Sequence, residues 1–247
     1  MASSAEKKLS GKTAFITGGS RGIGKAVAAA YAREGAAVFI CGRNPDYVGA
    51  ALDELRRTGG DADGAAGDVS LPQDAQRLVD AALARFGTID VLVNNASVLG
   101  PREPLATYPI PAWEEVLRIN LTGIFLVTRA VLPAMMARRA GSIINVTSGV
   151  GRRGKARWGA YAVSKAGVEN FTQVLADEVQ DHQIRVNTVN PAATRTAMRA
   201  AAYPSEDPLT LPTPDEIVPV FLYLASDDAA TITGQSLDAR DWLARKH

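Results

Sequence analysis

Tyr161 and Lys165 are the two side chains whose types and spacing best suit proton-transfer chemistry. They stand four residues apart in the run 159–166, which has the pattern of a helix start, so they share one helical face. A free tyrosine titrates near pH ~10, and a nearby ammonium favours the phenolate, so we expect Lys165 to lower the Tyr161 pKa. Such a phenol can donate a proton to a carbonyl or take one from an alcohol. Because surface pairs often show this spacing, the pair alone decides nothing.

Ser148 adds a hydroxyl to this pair. It follows the apolar run 143–146, a predicted strand, and the carboxyl ends of parallel strands present their groups to the ligand cleft. A hydroxyl at that edge can hydrogen-bond a substrate oxygen. The alternative is a serine that only caps a helix or closes a turn.

A glycine-rich loop, residues 17–26, joins the first predicted strand to the first predicted helix. Its glycines allow a tight turn, and the amide groups and dipole at a helix N-terminus hold phosphate. We therefore assign cofactor binding in this loop to Gly18, Ser20, Arg21, Gly22, Ile23 and Gly24.

Three motifs overlap in this loop. Residues 19–25 fit a triphosphate-binding loop, but Ala26 stands where that motif needs a hydroxyl for magnesium. Residues 18–22 fit the nucleophile elbow of hydrolases, whose triad needs a later histidine, and only His182 and His247 follow. We favour a dinucleotide loop with the spacing Gly-x-x-x-Gly-x-Gly; a glycine-rich turn without a ligand stays the simplest alternative.

The second predicted strand ends at Gly42 and Arg43, where an NAD site usually carries an acidic residue for the ribose 2′-hydroxyl. Without that carboxylate nothing repels a 2′-phosphate, and the Arg43 guanidinium can bind one, with Arg21 as a second cation. The pattern favours NADP(H) over NAD(H). The alternative is that both arginines are solvated surface residues.

Composition excludes several other classes of protein. The 247 residues carry a net charge of +1, which offers no footprint for nucleic acid or an anionic membrane surface. Two histidines and one cysteine, Cys41, leave little material for a metal site, and we predict none. We find no secretion signal in the first eight residues and no apolar run near the ~20 residues of a membrane span, so we expect a cytoplasmic protein.

Short apolar runs alternate with helical patterns along the whole chain. This alternation predicts a single doubly wound α/β (Rossmann) domain, with a seven-stranded parallel sheet covered by helices on both faces. We place that domain at residues 11–247, after an N-terminal extension at residues 1–10. The predicted strands lie at 12–17, 37–41, 62–66, 89–93, 142–146, 184–189 and 235–237.

Together these pieces resemble the short-chain dehydrogenase/reductase family over nearly the whole chain. The matching pieces occur in family order, and seven in order are highly specific. They are Thr17-Gly-x-x-x-Gly-x-Gly24, Asp68-Val69, Asn94-Asn95-Ala96, Asn120, Ser148, Tyr161-x-x-x-Lys165 and Asn190-Pro191.

The resemblance implies roles for these residues. Tyr161 would be the catalytic acid/base, Ser148 would orient the substrate carbonyl, and Lys165 would lower the Tyr161 pKa and bind the nicotinamide ribose. Asn120 would interrupt its helix and hold a water in the proton relay. The remaining cofactor contacts would come from Asp68, Val69, Asn95, Ala96, Pro191, Thr194 and Thr196.

The chain departs from the family pattern at three places. Ser97 and Ala192 replace glycines that usually follow Asn-Asn-Ala and Asn-Pro, and the second change makes the carboxamide contacts less secure. The tail 237–242 lacks the common Val-Asp-Gly-Gly ending, which often forms subunit contacts. The family implies a homodimer or homotetramer, and this tail puts the tetramer interface in doubt.

We therefore expect an enzyme that transfers a hydride between NADP(H) and a small carbonyl or alcohol substrate. The rivals are a non-enzymatic or regulatory dinucleotide-binding protein of the same fold and, less favoured, a P-loop phosphotransferase. Segments 98–113, 149–158 and 198–212 should form the substrate walls. The basic run 152–157 could attract an anionic substrate, although a solvated loop or a subunit contact is the simpler interpretation.

Overall fold

Seven short strands form one parallel sheet in the order β3-β2-β1-β4-β5-β6-β7, in a computed structural model that describes residues 7–243. Every pair of neighbouring strands runs parallel, which confirms the predicted sheet. The strands are β1 (Thr13–Thr17), β2 (Ala37–Gly42), β3 (Ala62–Ala66), β4 (Val91–Asn94), β5 (Gly141–Val146), β6 (Ile184–Asn190) and β7 (Ser236–Asp238).

Helices cover both faces of this sheet, as predicted for a doubly wound domain. One apolar core lies under α1, α2 and α9, and a second lies under α3, α5 and α7. The helices are α1 (Gly22–Arg33), α2 (Pro45–Arg57), α3 (Pro72–Phe86), α4 (Ile110–Leu117), α5 (Gly123–Arg138), α6 (Gly149–Arg152), α7 (Gly159–Glu178), α8 (Ala197–Ala202), α9 (Val218–Ala225) and α10 (Arg240–Leu243).

Strand order reverses beside β1. The chain passes from β1 outward through β2 to β3, then returns to pair β4 with the opposite edge of β1. Ligands of such sheets bind outside the carboxyl ends of the strands at this switch point, because the loops on either side diverge there. The loops after β1, β2, β4, β5 and β6 therefore face one shared cleft.

A 29-residue helical run, Ile110–Arg138, is long and apolar enough by length and composition to cross a membrane. Our expectation that no run approaches that length is therefore wrong. Packing explains why this run is apolar: α5 lies against α3 and buries Val127, Val131 and Met135 in the second core. The run changes register at a π-helical turn, Arg118–Thr122, between α4 and α5.

The N-terminal boundary of the domain stays a prediction, because residues 1–6 lie outside the described part of the chain. Within the described part, Leu9 is fully buried in the first core, and its amide donates to Glu34 O at 3.0 Å. Part of the assigned extension therefore packs on the domain. At the other end the Trp242 ring packs against the Tyr223 ring at a tilt of 40°, with ring centres 4.7 Å apart.

Candidate active site

The glycine loop after β1 has a backbone that only small residues allow. Gly18 and Gly22 have φ of +64° and +55°, in the left-handed region that favours glycine. A Cβ on Gly24 would lie 2.4 Å from Gly18 O, so the loop and the first turn of α1 touch directly. The unpaired amides at the start of α1 then form a site for an anionic group.

Asn95, after β4, fixes this loop from the neighbouring strand. Its side-chain amide donates to Thr17 O at 3.0 Å and to Gly18 O at 3.1 Å. In return Thr17 Oγ1 accepts from the backbone amides of Asn95 and Ala96 at 3.0 and 3.1 Å. Loop and strand end are thus joined by four hydrogen bonds, which hold the turn open for a ligand.

The end of β2 carries no acidic residue. Gly42 closes the strand beside Ser20 Oγ, and Arg43 and Arg21 both line the cleft at this end. Arg43 is about half exposed, and its guanidinium lies 3.9 Å from the Glu115 carboxylate. This end of the cleft therefore offers two exposed guanidinium groups and no repelling carboxylate on β2.

Asp68 lies at the same end, after β3. Burial would raise its pKa, but hydrogen bonds from Ser70 and the nearby Arg118 and Arg43 guanidinium groups hold the pKa below its ordinary value. Its carboxylate accepts from the Ser70 hydroxyl at 2.5 Å. Asp68 is therefore a fixed anionic acceptor beside Val69, which also lines the cleft.

A cleft of about 820 Å³ connects this end to Tyr161. It is large enough for a dinucleotide together with a small substrate. Of the residues predicted for the site, those that line it are Gly18, Arg21, Gly22, Ile23, Arg43, Asp68, Val69, Asn95, Ala96, Ser148, Tyr161, Pro191, Thr194 and Thr196. Ser20, Gly24, Asn120 and Lys165 lie behind that lining; Ser20 faces a smaller neighbouring hollow.

Tyr161 sits at the first turn of α7, nine-tenths buried, with Ser148 as hydrogen-bond partner. Burial raises its pKa to about 12, and the Ser148 hydrogen bond lowers it only in part. Our expectation of a lowered Tyr161 pKa is wrong in this structure, because loss of solvent around the phenol dominates. The phenol is therefore protonated at neutral pH and can donate.

Lys165, one turn later, is fully buried. Its ammonium lies 5.6 Å from the centre of the Tyr161 ring and donates to Val146 O at 2.8 Å. Burial lowers its pKa to about 8. Strand β5 therefore holds the lysine head group beneath the tyrosine.

Asn120 occupies the middle of the π-helical turn, fully buried. Its Oδ1 accepts from Val98 N at 2.8 Å, and its Nδ2 donates to Val98 O at 2.9 Å and to Ser164 Oγ at 3.1 Å. Ser164 Oγ donates in turn to Tyr161 O at 2.7 Å. Asn120 thus ties the loop after β4 to the turn of α7 that carries Tyr161.

The segment after β6 closes the far side of the cleft. Thr194 Oγ1 donates to Pro191 O at 2.9 Å, and Thr196 caps α8 by accepting from Arg199 N at 3.1 Å. Ala192 has a φ of +57°, so the chain keeps the left-handed backbone although it lacks the glycine that suits it.

Comparison with known proteins agrees with this geometry. A model of the short chain dehydrogenase family matches residues 12–207. The chain belongs to the short chain dehydrogenase family. The oxidoreductase YciK of Escherichia coli (strain K12) is 38% identical over 94% of this chain and 93% of its own length. A 3-oxoacyl-[acyl-carrier-protein] reductase, FabG of Vibrio cholerae, is 38% identical over 93% of this chain and 96% of its own length.

Solved structures of short chain dehydrogenases superpose closely on this one. A protein from Escherichia coli CFT073 in complex with NADPH has a TM-score of 0.91 at 38% identity, covering 95% of this chain and 99% of its own. A protein from Shigella flexneri 2a in complex with NADP gives the same TM-score, identity and coverage.

The cleft of this short chain dehydrogenase fits a nicotinamide dinucleotide. Any side chain at Gly18 or Gly24 would strike Asn95 Nδ2, so the loop leaves its backbone open to a phosphate. The missing carboxylate at Gly42 leaves room beside Arg21 and Arg43 for a further phosphate.

Sequence reasoning missed several residues that line the cleft. Tyr47 is brought there by the start of α2, where Asn44 Oδ1 accepts from Tyr47 N at 3.0 Å and Pro45 opens the helix. Thr147 and Ile119 also line the cleft. Each is the chain neighbour of a predicted site residue, Ser148 or Asn120, and this adjacency could have predicted them. The predicted substrate walls do contribute Val98, Leu99, Trp158, Met198 and Ala202.

The basic run 152–157 does not line this cleft. Arg152 instead binds Asp238 at 2.7 Å and Glu169 at 3.3 Å, which joins α6 to α7 and β7. Lys155 donates to Tyr203 OH at 3.0 Å. These contacts favour the simpler interpretation of the run as a structural surface loop.

Proposed function

We propose that the protein is an NADP(H)-dependent reductase of ketones or aldehydes that also runs the reverse oxidation of the alcohol. One observation carries the proposal. A single cleft has Tyr161 and Ser148 at one end and the glycine loop with Arg21 and Arg43 at the other. The relatives solved with NADPH and NADP support the choice of cofactor.

The overall reaction is R₂C=O + NADPH + H⁺ → R₂CHOH + NADP⁺. When bound, NADPH supplies the hydride that reaches the carbonyl carbon, and the chain supplies the proton for the carbonyl oxygen. The glycine loop and the start of α1 would hold the pyrophosphate, Asp68 and Val69 the adenosine, and Arg21 with Arg43 the 2′-phosphate.

Tyr161 donates that proton. Its pKa of about 12 keeps the phenol protonated at neutral pH, which suits reduction. Ser148, hydrogen-bonded to Tyr161, holds the substrate oxygen beside the phenol so that the proton transfer is short. Both groups act as donors toward the oxygen on which negative charge develops.

Lys165 and Asn120 do not line the cleft and act through Tyr161. The Lys165 ammonium stabilises the phenolate that remains after proton donation, because opposite charges attract strongly in a buried site. Asn120 fixes the turn of α7 through Ser164 and so keeps the phenol aimed at the cleft. A water held near the π-helical turn would return the proton to Tyr161.

We also propose a cytoplasmic homo-oligomer, a homodimer or homotetramer. Phe125 on α5 and Val163 and Val174 on α7 are each about half exposed, and apolar side chains on helix faces support subunit packing. Sedimentation of the purified chain tests this, and a monomer at micromolar concentration would contradict it.

Fluorescence titration of the purified protein with NADPH and with NADH tests the cofactor. We expect NADPH to bind at least about tenfold more tightly, since a charge-assisted contact to the 2′-phosphate contributes about 1.5–3 kcal/mol. Equal affinities would remove the 2′-phosphate argument but keep the oxidoreductase. Binding of neither would contradict the proposal.

Turnover by Tyr161→Phe separates an enzyme from a dinucleotide-binding protein without catalysis. The variant should bind NADPH like the wild type and lose at least about a hundredfold in kcat, the usual contribution of a general acid. A wild type that binds NADPH but reduces no carbonyl would support the regulatory alternative. Magnesium-dependent ATP binding would revive the phosphotransferase.

A further inference from the structure

The part of the cleft around Tyr161 is apolar. The charged residues Arg21, Arg43 and Asp68 line the opposite, adenosine-binding end. Ser148 is hydrogen-bonded to Tyr161, and beside this pair the predicted substrate walls contribute, apart from Arg199, hydrocarbon, thioether and aromatic side chains. They are Val98, Leu99, Trp158, Met198 and Ala202.

One charged residue of the cleft lining, Arg199, follows Met198 of this apolar part. Its charge is already compensated by a carboxylate. Its Nε and Nη2 donate to the two carboxylate oxygens of Glu206, each at 2.6 Å. Its guanidinium also lies over the Tyr203 ring, 4.0 Å from the ring centre. A paired and stacked guanidinium offers little to a substrate anion.

Trp158 is held rigidly as the flat wall beside Tyr161. Its ring centre lies 5.6 Å from that of Tyr161 and 6.0 Å from that of Tyr203. The Arg102 guanidinium packs on its face at 4.8 Å from the centre. Contacts on several sides leave the indole, which is 8% exposed, with one fixed orientation toward the cleft.

Arg102 joins this wall to the segment that faces it. Its guanidinium lies 4.8 Å from the centre of the Tyr203 ring and donates to Ala202 O, at the end of α8. Three segments distant in sequence, around 102, 158 and 203, thus form one clamp of a cation between two aromatic rings. The clamp keeps the distance between Trp158 and α8 constant, which gives the apolar part a defined width.

We propose that the substrate is an uncharged aryl ketone or aldehyde whose ring packs on Trp158 while its carbonyl oxygen meets Tyr161 and Ser148. This inference rests on the proposed carbonyl reduction and specifies its substrate class. A carboxylate or a polyol in the same place would lose its hydration against hydrocarbon walls, because the nearby guanidinium groups are already engaged, Arg199 by Glu206 and Arg102 by Ala202 O and two aromatic rings. A flat ring, by contrast, fits a fixed aromatic face.

Four ketones that differ in ring, charge and polarity test the substrate class with the wild-type enzyme and NADPH. Acetophenone carries the ring, cyclohexyl methyl ketone a puckered ring, phenylglyoxylate a carboxylate in place of the methyl group, and dihydroxyacetone polar groups alone. We expect kcat/KM for acetophenone to exceed that for phenylglyoxylate and for dihydroxyacetone by at least about tenfold, because desolvating a charge or two hydroxyls costs more than 1.4 kcal/mol. The opposite order for either compound overturns the substrate class.

Variants of Trp158 test the wall itself. Trp158→Ala should lower kcat/KM for acetophenone about fivefold relative to dihydroxyacetone, with Trp158→Phe in between, because a ring contact is worth about 1 kcal/mol. The matched control is Trp113→Ala, which removes an indole of the same cluster that does not line the cleft. An unchanged substrate ratio in Trp158→Phe and Trp158→Ala, both still binding NADPH, overturns the role of this wall.

The two proposals fail differently. Reduction of dihydroxyacetone or phenylglyoxylate in preference to acetophenone would leave carbonyl reduction standing and refute only the aryl substrate. A protein that binds NADPH yet reduces none of the four compounds, nor an acyl thioester, would refute carbonyl reduction and the inference with it.

Discussion

The ammonium of Lys165 lies 5.6 Å from the centre of the Tyr161 ring, and both side chains are shut away from solvent. The ammonium has a single described hydrogen-bond partner, Val146 O. A buried charge with so little compensation costs free energy of folding, so we attribute the arrangement to the proposed proton transfer rather than to stability. This cost can be measured.

We expect Lys165→Met to stabilise the protein at pH 7 while abolishing turnover. Burial lowers the Lys165 pKa from 10.5 to about 8, a penalty on the order of 3 kcal/mol for the charged form. Loss of the hydrogen bond to Val146 O costs about 1 kcal/mol. The variant should therefore gain about 2 kcal/mol in the free energy of unfolding, measured with urea.

The pH dependence of that gain provides the control. Between pH 8 and about 10 the unfolded chain binds more protons at this position than the folded chain, so wild-type stability rises with pH. Lys165→Met lacks this rise, and its advantage should shrink across the window. An advantage that stays constant with pH would point to packing instead of charge.

The raised Tyr161 pKa predicts different pH profiles for the two directions of the proposed reaction. Oxidation needs the phenolate, whose fraction grows with pH below a pKa of about 12. We expect kcat/KM for alcohol oxidation to rise by up to about tenfold per pH unit up to about pH 8 and to level off above it, where the Lys165 ammonium that stabilises the phenolate loses its proton. Reduction, which uses the protonated phenol, should show no loss from Tyr161 from pH 7 to about 10. A plateau of oxidation below pH 8 would show a Tyr161 pKa lower than burial alone gives.

Much of the fold could be predicted because each element carries its own local pattern. Even β3, built from the small residues of Ala62–Ala66 and with a weaker strand pattern than the others, lies at the predicted residues. Gly18, Tyr161 and Ser148 were recognisable because a turn, a helix face and a strand end each restrict where a side chain can point.

Burial and contacts between distant segments could not be predicted in this way. The spacing of Tyr161 and Lys165 gave their proximity, but the direction of the Tyr161 pKa depends on how much solvent the folded chain removes. The clamp of Arg102 between Trp158 and Tyr203 unites residues far apart in sequence. No local sequence pattern predicts such a cluster, because each of its members resembles an ordinary loop residue when it is considered alone.

Gly24→Ala should abolish NADPH binding or prevent folding, because the new Cβ would lie 2.4 Å from Gly18 O and 2.5 Å from Asn95 Nδ2. Both neighbours are fixed by the hydrogen bonds that shape the loop. We expect a loss of at least about 2 kcal/mol in stability or of about tenfold in NADPH affinity. Calorimetry with and without NADPH measures both.

Gly49→Ala is the matched control for that substitution. Gly49 lies inside α2 with nothing within 4 Å of an added Cβ. There alanine should stabilise by about 0.5–1 kcal/mol, since glycine is the poorer helix former. Equal effects at both positions would contradict the close contact of the loop with α1.

Arg43→Ala should weaken NADPH binding by about ten- to a hundredfold and leave NADH binding within about threefold. The guanidinium is half exposed and lines the cleft beside Gly42, where it can reach a 2′-phosphate. Arg57→Ala, at the last turn of α2, changes net charge equally and is the control. If both variants lose NADPH affinity alike, long-range charge and not a contact is responsible.

Ala192→Gly should raise stability by about 1 kcal/mol, because a φ of +57° forces the alanine Cβ toward its own backbone, a strain that glycine avoids. The backbone is held there by Asn190 Oδ1, which accepts from Ala192 N at 3.0 Å. Ala29→Gly, in α1, is the matched control and should destabilise by about as much. Urea unfolding of the two variants gives the sign directly. A destabilised Ala192→Gly would mean that alanine restricts the unfolded chain more than it strains the folded one.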